Sequence, residues 1–230
     1  SDVVRRVEAM GEYNPMLGMR GVRLGVTVPE IYEMQARAIF EAIVHVSDEG
    51  ISVIPEIMIP LVSAKREVEL VKKRMASVAS QVSLETSKEV NYKLGVMVET
   101  PRAALRASDI AMNSEFLSFG TNDLTQMAYG LSRDDAGRFM SQYVQQGVFQ
   151  EDPFHILDAE GVGELVKLGA DRARSIKSDI TLSICGEHGG NPESIAFCHQ
   201  LGFHYVSCSP YRVPVAKLAA AQVAISTVIS

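Results

Sequence analysis

Two acidic residues of this chain stand at the ends of apolar runs. Glu99 directly follows KLGVMV (residues 93–98), and Asp123 comes three residues after FLSFG (residues 116–120). Such runs predict buried strands, whose carboxyl ends meet at one edge of a parallel sheet. Mg²⁺ is usually held by one or two carboxylates together with substrate oxygens and water. The pair therefore favours a magnesium site, although each acid taken alone is also typical of a helix cap.

A cysteine ends a third apolar run. Cys185 follows ITLSI and precedes the polar sequence GEHGG. A thiol at a strand end can act as a nucleophile or as a proton donor. The alternative is a buried, inert cysteine, which fits Cys198 in the middle of a predicted helix better than Cys185, whereas Cys208 fits either description.

Three further residues and two arginines are suited to binding an anion. Gly120 and Thr121 would offer backbone N–H groups, and Asn122 a side-chain donor, in the manner of an oxyanion cradle. Arg20 and Arg23 lie among glycines in MLGMRGVRLG, and guanidinium groups pair well with phosphate or carboxylate. The alternative for the two arginines is a solvated surface loop. Together these groups indicate an anionic, oxygen-rich substrate.

Alternating strands and helices must position these groups. The predicted strands cover residues 51–62, 93–98, 116–119, 180–184 and 205–207. Helices are predicted at 1–12, 29–49, 163–176, 191–202 and 214–229, and after the possible caps Ser63 and Thr100. Asn14 and Pro15 mark a loop. The polar segment 129–161 is long for a plain connection, which is typical of lids or of short helices.

Strand–helix alternation with continuously apolar strands predicts an α/β fold with a parallel sheet covered by helices. In (β/α) barrels and in open α/β sheets, the carboxyl ends of the strands carry the chemistry. Five strands do not close an eight-stranded barrel. We therefore expect a (β/α) TIM-barrel type fold that lacks about three units at its N-terminus.

The composition excludes several classes of protein. There are 22 Lys and Arg residues against 28 Asp and Glu, a net charge of −6, and no basic run, which argues against a nucleic-acid partner. No segment has the length of a signal peptide core or a membrane span, so we expect no membrane partner. Three cysteines without a CxxC pair fit a reduced compartment, so we expect a cytoplasmic protein.

Four longer motifs resemble one enzyme family. GVMVETPRAAL, SFGTNDLTQM, ICGEHGG and YVSCSPYRVPVAKLAAAQ resemble the C-terminal phosphoenolpyruvate/pyruvate-binding barrel of the phosphoenolpyruvate (PEP)-utilising enzymes. The likeness runs from NPMLGMRG to AAAQ, nearly the whole chain. The HGG after CGE and the SCSPxRVP ending are similar to the pyruvate, phosphate dikinases rather than to PEP synthase or enzyme I of the sugar phosphotransferase system.

The resemblance implies roles for these residues. Glu99 and Asp123 would bind Mg²⁺, and Cys185 would move the proton at the methyl carbon as enolpyruvate interconverts with pyruvate. Contacts to substrate carboxylate or phosphoryl oxygens would come from Gly120, Thr121, Asn122 and Arg20, with Arg20 at the phosphoryl group. Arg133, in LSRDDAGRF, lies where the family keeps an arginine near the site.

The resemblance also implies a larger parent enzyme. Residues 1–230 would be the C-terminal part of the PEP/pyruvate-binding barrel. The ATP-grasp domain, the phosphohistidine domain with its GGxTSHAA motif and two upstream arginine motifs are absent from this sequence. We expect such a piece to be inactive alone, to need the phosphohistidine domain of its parent chain, and to form a homodimer through its C-terminal helix.

Two other classes remain compatible with the residues alone. One is a carbon–carbon lyase or aldolase barrel, which also holds an enolate on Mg²⁺ with a Glu and an Asp. The other is a non-catalytic dimerisation module, for which an incomplete barrel and an apolar C-terminal helix would suffice.

Overall fold

Five parallel strands form a single sheet in the computed structural model, which describes residues 2–11 and 16–229. The strands lie side by side in chain order, and the sheet is open rather than closed on itself. They are β1 (Glu56–Ile59), β2 (Lys93–Val98), β3 (Phe116–Gly120), β4 (Thr181–Cys185) and β5 (Tyr205–Val206). Helical connections join each strand to the next, as parallel pairing requires.

Helices precede and separate the strands. Within the described residues they are α1 (Asp2–Ala9), α2 (Val22–Thr27), α3 (Pro29–Asp48), α4 (Lys65–Thr86), α5 (Pro101–Leu105), α6 (Ala107–Ala111), α7 (Thr121–Tyr129), α8 (Arg133–Ala136), α9 (Met140–Gln145), α10 (Val162–Arg174), α11 (Pro192–Gln200) and α12 (Val213–Ile229). The predicted loop residues Asn14 and Pro15 lie outside the described part of the chain.

Local signals place the helix ends that matter for the site. Pro29 opens α3 and Pro101 opens α5, each at the first helical position, where the missing N–H costs nothing. The Thr100 hydroxyl accepts from the Ala103 N–H at 3.1 Å and caps α5, as predicted. α7 begins directly at the end of β3, so Thr121, Asn122 and Asp123 form the first helical turn rather than a separate loop.

The two faces of the sheet differ in chemistry. One face packs against the helices and forms the main core, to which the central strands contribute Leu94, Val96, Val98, Leu117, Phe119, Leu182 and Ile184. Because side chains alternate along a strand, the intervening residues point to the opposite face. That face includes Gly95, Ser118 and Ser183, and at the strand ends it leads to Glu99, Gly120 and Cys185.

Two predicted elements were wrong in extent. The predicted strand 51–62 is reduced to β1, and Ile51, Val53 and Ile54 are exposed. β1 lies at an edge of the described sheet with β2 on one side, so residues before the ladder lack a second neighbour to bury them. The alanine-rich segment after Thr100 forms two short helices that meet at Arg106, not one continuous helix.

None of the helices in residues 2–11 and 16–229 combines the length and the apolar character that crossing a membrane would require.

Candidate active site

Strand register brings the acid, the glycine and the thiol of the predicted site side by side. Gly120 at the end of β3 pairs with Cys185 at the end of β4, and Val98 pairs with Phe119. Glu99 is therefore the next residue in the same row, adjacent to Gly120. A Cβ atom on Gly120 would approach Glu99 Oε2 to 2.8 Å, so only glycine leaves room for this carboxylate.

Glu99 is a buried carboxylate, 4% exposed. Its Oε1 accepts a hydrogen bond from the backbone N–H of Leu61 at 2.5 Å, and Leu61 adopts the left-handed φ of 59° that few non-glycine residues adopt. Burial, followed by the neighbouring charge of Asp123, raises the pKa of Glu99 to about 7, against the opposing hydrogen bond from Leu61. The ionised form of Glu99 is therefore disfavoured in the folded chain, and a cation bound beside the carboxylate would favour that form.

Asp123 completes the acidic pair and carries a cationic partner. Its Oδ2 accepts from Arg20 Nη2 at 2.8 Å, and its Oδ1 accepts from Gln126 Nε2 at 3.2 Å. Arg20 is thus placed at the site, and its Nη1 also donates to the Met16 carbonyl at 3.3 Å. Among the described residues, these two contacts engage two of the five guanidinium N–H donors.

Arg23 does not join Arg20 in a loop. It lies on α2, and its Nη1 donates to the Leu17 and Gly18 carbonyls at 2.6 and 2.7 Å. Arg23 therefore holds the segment before Arg20 in place. The neighbouring glycines in the sequence did not indicate this structural role.

The first turn of α7 faces the turn after β4. Asn122 Oδ1 accepts from the Glu187 N–H at 3.2 Å, and the Thr121 hydroxyl lies 3.0 Å from the Cys185 carbonyl. Gly186 has φ 103°, and a Cβ there would approach Asn122 Oδ1 to 2.8 Å. The Thr121 side chain is fully buried, which leaves its backbone N–H as the group that Thr121 can present to a ligand.

The Cys185 thiol lies between these elements and is partly buried. Its Sγ is 3.7 Å from the Phe119 carbonyl. Burial raises the pKa of Cys185, and the charges of Glu99 and Asp123 raise it further, against a hydrogen bond with Ser118. The thiol is therefore held in its protonated form.

Arg133 lies on α8, in the segment that crosses the carboxyl edge of the sheet. Its backbone N–H donates to Gln126 Oε1 at 2.7 Å, and Gln126 in turn contacts Asp123. With Phe154, His155, Glu187 and other residues it borders a cavity of about 340 Å³. Within the described structure, no contact joins its guanidinium to the acidic pair.

Sequence reasoning did not assign a role to His188, which has both ring nitrogens within hydrogen-bonding distance of oxygen atoms at this edge. Its position three residues after Cys185 was the available signal. Its partner Pro153 lies 35 residues away, a contact that spacing along the chain does not reveal.

The donor set fits a divalent metal that shares its coordination with a ligand. Across residues 2–11 and 16–229, no group of three or more His, Cys, Asp and Glu side chains forms a complete metal site. Glu99 and Asp123 are instead two hard oxygen donors, and the charge of Asp123 contributes to the raised pKa of Glu99. Such a pair suits Mg²⁺, which retains positions for substrate oxygens and water.

A parallel sheet with helical crossovers and polar groups at its strand ends defines a (β/α) barrel-type domain. Pyruvate kinase from Cryptosporidium parvum has a similar fold, with a TM-score of 0.50 at 12% identity over 74% of this chain and 32% of that one. The predicted fold class, a TIM-barrel type with about five of eight strands, is confirmed.

The chain belongs to the PEP-utilising enzymes, because the family model of their PEP-binding domain matches residues 2–225. It is 54% identical to pyruvate, phosphate dikinase from Rhizobium meliloti (strain 1021) over 98% of its own length. It is 51% identical to that from Clostridium symbiosum over 98%, and 53% identical to the chloroplastic enzyme of Mesembryanthemum crystallinum over 96%. The chain spans 25%, 26% and 23% of these relatives, respectively. The resemblance seen in the motifs is confirmed.

Proposed function

We propose that this chain binds PEP and pyruvate at the strand ends, as part of a pyruvate, phosphate dikinase that transfers a phosphoryl group between a phosphohistidine and pyruvate. The convergence of Glu99, Asp123 and Cys185 on one edge of the sheet carries the proposal. The family match favours this reaction over a carbon–carbon lyase, because it covers the PEP-binding domain from residue 2 to 225.

Glu99 and Asp123 hold Mg²⁺ in this proposal. The metal would supply positive charge that stabilises the enolate of pyruvate and the phosphoryl oxygens. Leu61 keeps one oxygen of Glu99 fixed through its N–H, which leaves Oε2 directed toward Gly120 and the site. The carboxylate is thereby oriented before any ligand arrives.

The first turn of α7 and Arg20 bind the anionic ends of the substrate. The backbone N–H groups at Gly120 and Thr121 and the Asn122 side chain face the substrate carboxylate or phosphoryl group, favoured by the helix N-terminus. Arg20 sits beside Asp123 and adds positive charge for the transferring phosphoryl group. Arg133 borders the cavity that Glu187 also lines, and its guanidinium would add positive charge for the substrate there.

Cys185 moves the proton at the methyl carbon. In the direction of pyruvate formation, the thiol gives its proton to the enolate carbon as the carbon–hydrogen bond forms, and the thiolate remains. The raised pKa of Cys185 supports this role, because it keeps the thiol loaded with its proton at neutral pH. In the opposite direction the thiolate removes the proton, and the enolate oxygen attacks the phosphorus of the phosphohistidine, so that an O–P bond forms as the P–N bond to the departing histidine breaks.

The whole enzyme would supply what this chain does not contain. We infer that the phosphohistidine domain of the parent chain is the phosphoryl donor and acceptor, that an ATP-grasp domain charges it with ATP, and that the isolated chain binds substrate without turnover.

The free cysteines 185, 198 and 208 support a reducing, cytoplasmic location. The exposed apolar residues of α12 support a homodimer.

Calorimetric titration with oxalate, a planar analogue of the pyruvate enolate, tests the site. We expect oxalate to bind in the presence of Mg²⁺ and to lose at least about tenfold in affinity when EDTA replaces the metal. Glu99→Gln and Asp123→Asn should each abolish the metal-dependent part, because each removes an ionised oxygen ligand.

Glu164→Gln serves as the matched control, since Glu164 is an exposed acid on α10 that is not part of the proposed site. Equal oxalate affinity with and without Mg²⁺ would contradict the proposed metal site. Metal-dependent binding of an acyl-CoA ester in place of oxalate would favour the lyase class. The lack of binding by either ligand would favour a dimerisation module.

A further inference from the structure

His188 lies in the short turn after β4, and its side chain is 0% exposed. Its Nε2 lies 2.9 Å from the Pro153 carbonyl oxygen, and its Nδ1 lies 2.6 Å from the Thr121 hydroxyl. The proposed reaction uses neither nitrogen. The role of the ring is therefore to connect the two segments that it contacts, one at Pro153 and the other at Thr121.

The contacts favour one tautomer of the His188 ring. A carbonyl oxygen can only accept, so Nε2 carries the hydrogen that is donated to Pro153. The Thr121 hydroxyl has a single hydrogen and two acceptors within reach, Nδ1 of His188 at 2.6 Å and the Cys185 carbonyl at 3.0 Å. The shorter contact favours donation to Nδ1, and burial lowers the pKa of His188, which favours the neutral ring that such donation needs.

The segment on the Pro153 side has an apolar cluster of its own. Ala136, Met140 and Phe154 pack together with neighbouring residues, separately from the main core beneath the sheet. Segments with a small separate core can open while the rest of the protein stays folded. A buried hydrogen bond at Pro153, next to Phe154, opposes such opening and holds α8 with Arg133 over the strand ends.

We propose that His188 is a positioning residue that fixes the segment bearing Arg133 against the first turn of α7, by donating from Nε2 to Pro153 and accepting at Nδ1 from Thr121. The inference rests on the proposed function, because the separation of Arg133 from α7 affects activity only if a ligand binds between them. Its tests include two that need no ligand.

The first test reads the ring tautomer by long-range ¹H–¹⁵N correlation spectra at neutral pH. His204 provides an internal reference, because its Nδ1 accepts from the Leu182 N–H at 3.0 Å and is thereby fixed as the unprotonated nitrogen. We expect His188 and His204 to show the same pattern, with hydrogen on Nε2. A ring protonated at Nδ1, or at both nitrogens, would overturn the inference.

The second test compares two variants that each keep one of the two hydrogen bonds of His188. His188→Asn retains an oxygen near the Nδ1 position for Thr121 and loses Pro153, whereas His188→Gln carries an amide nitrogen to the Nε2 position and retains Pro153. Trypsin cleavage after Arg138, an exposed residue between α8 and α9, reports opening of the segment. We expect this cleavage to be about tenfold faster in His188→Asn than in His188→Gln, the effect of one lost hydrogen bond.

Mass spectrometry identifies the cleaved bond, and thermal unfolding shows whether both variants remain folded. Equal cleavage rates in the two variants would overturn the inference.

Oxalate titration with Mg²⁺ on the wild type and both variants should give a weaker oxalate affinity for His188→Asn than for His188→Gln. If wild-type protein does not bind oxalate, the proposed function is wrong, but the tautomer and the cleavage ratio still decide the role of His188. If neither variant folds, the tautomer alone decides it.

Discussion

Burial and the neighbouring Asp123 carboxylate make the negative charge of Glu99 costly, and the hydrogen bond from Leu61 offsets only part of that cost. Its folded pKa of about 7 lies above the ordinary value of 4.5, so ionisation is less favourable in the folded than in the unfolded chain. In metal-free protein we therefore expect stability to fall as pH rises from about 4.5 to 7. At pH 8 the free energy of unfolding should be lower by roughly 3 kcal/mol, because each unit by which the pKa is raised corresponds to about 1.4 kcal/mol.

Glu99→Gln tests this expectation, because the amide oxygen can still accept from Leu61 while the group no longer ionises. The variant should be more stable than the wild type at pH 8 in EDTA and similar to it at pH 4.5. Denaturant unfolding at both pH values measures the difference. A wild-type stability that rises between pH 4.5 and 7 in parallel with that of the variant would show that Glu99 ionises normally.

Gly120 tests how closely the carboxylate is packed. Its φ of −84° is open to any residue, so the constraint is steric: an added methyl group would meet Glu99 Oε2 at 2.8 Å and Met97 Sδ at 2.9 Å. Gly120→Ala should displace Glu99, weaken Mg²⁺-dependent oxalate binding at least about tenfold and lower stability by about 1–3 kcal/mol. Gly137→Ala is the matched control, because nothing lies within 4 Å of a Cβ at that position. Similar oxalate affinity in the two variants would contradict the expected clash.

At the scale of elements, α4 shows how a helix begins without the expected cap. Ser63 was the predicted cap, but the carboxylate of Glu67 instead accepts from the N–H groups of Ser63 and Ala64, at 2.7 and 2.9 Å. Glu67→Ala should cost about 1–2 kcal/mol, because both donors lose their partner at the start of a 22-residue helix. Thermal unfolding measures the loss.

Glu69→Ala is the comparison for that prediction. Glu69 lies one turn into the same helix, and in the described part of the chain it forms ion pairs with Lys65 and Arg66 at the surface. Its removal should have a clearly smaller effect on stability. If both variants lose the same amount, the general helix propensity of the position, rather than the cap, determines the stability of α4.

At the scale of the whole molecule, α12 presents apolar side chains on several sides. Ala216 and Ala219 pack against Ile195, whereas Leu218 is 62% and Ile225 60% exposed. If this surface forms the proposed dimer, Leu218→Glu should raise the dissociation constant at least about tenfold, because it exchanges a buried leucine for a charge. Sedimentation velocity over a concentration series measures the change.

Leu84→Glu makes the same exchange on α4, at a leucine that is 83% exposed. It should leave the association of the chain unchanged. An equal effect of both substitutions would point to non-specific association of apolar surface, and a monomer at every concentration in the wild type would contradict the dimer.

The sequence by itself determined the strand–helix order, because apolar runs and caps are local signals. The β2 boundaries follow from KLGVMV alone, and Thr100-Pro101 shows where α5 begins. It also indicated the chemistry, since Glu99, Asp123 and Cys185 each stand where a strand ends. Local signals failed at β1, where an edge position left Ile51, Val53 and Ile54 exposed.

The tertiary structure decided which groups meet. The Leu61 N–H that fixes Glu99 comes from 38 residues away, and the guanidinium that pairs with Asp123 from 103 residues away. Pairing of Val98 with Phe119 and of Gly120 with Cys185 places Glu99, Gly120 and Cys185 in one row, and His188 contacts Pro153 from 35 residues away. Such contacts depend on strand register and on buried hydrogen bonds between distant segments, and no residue pattern within one segment specifies them.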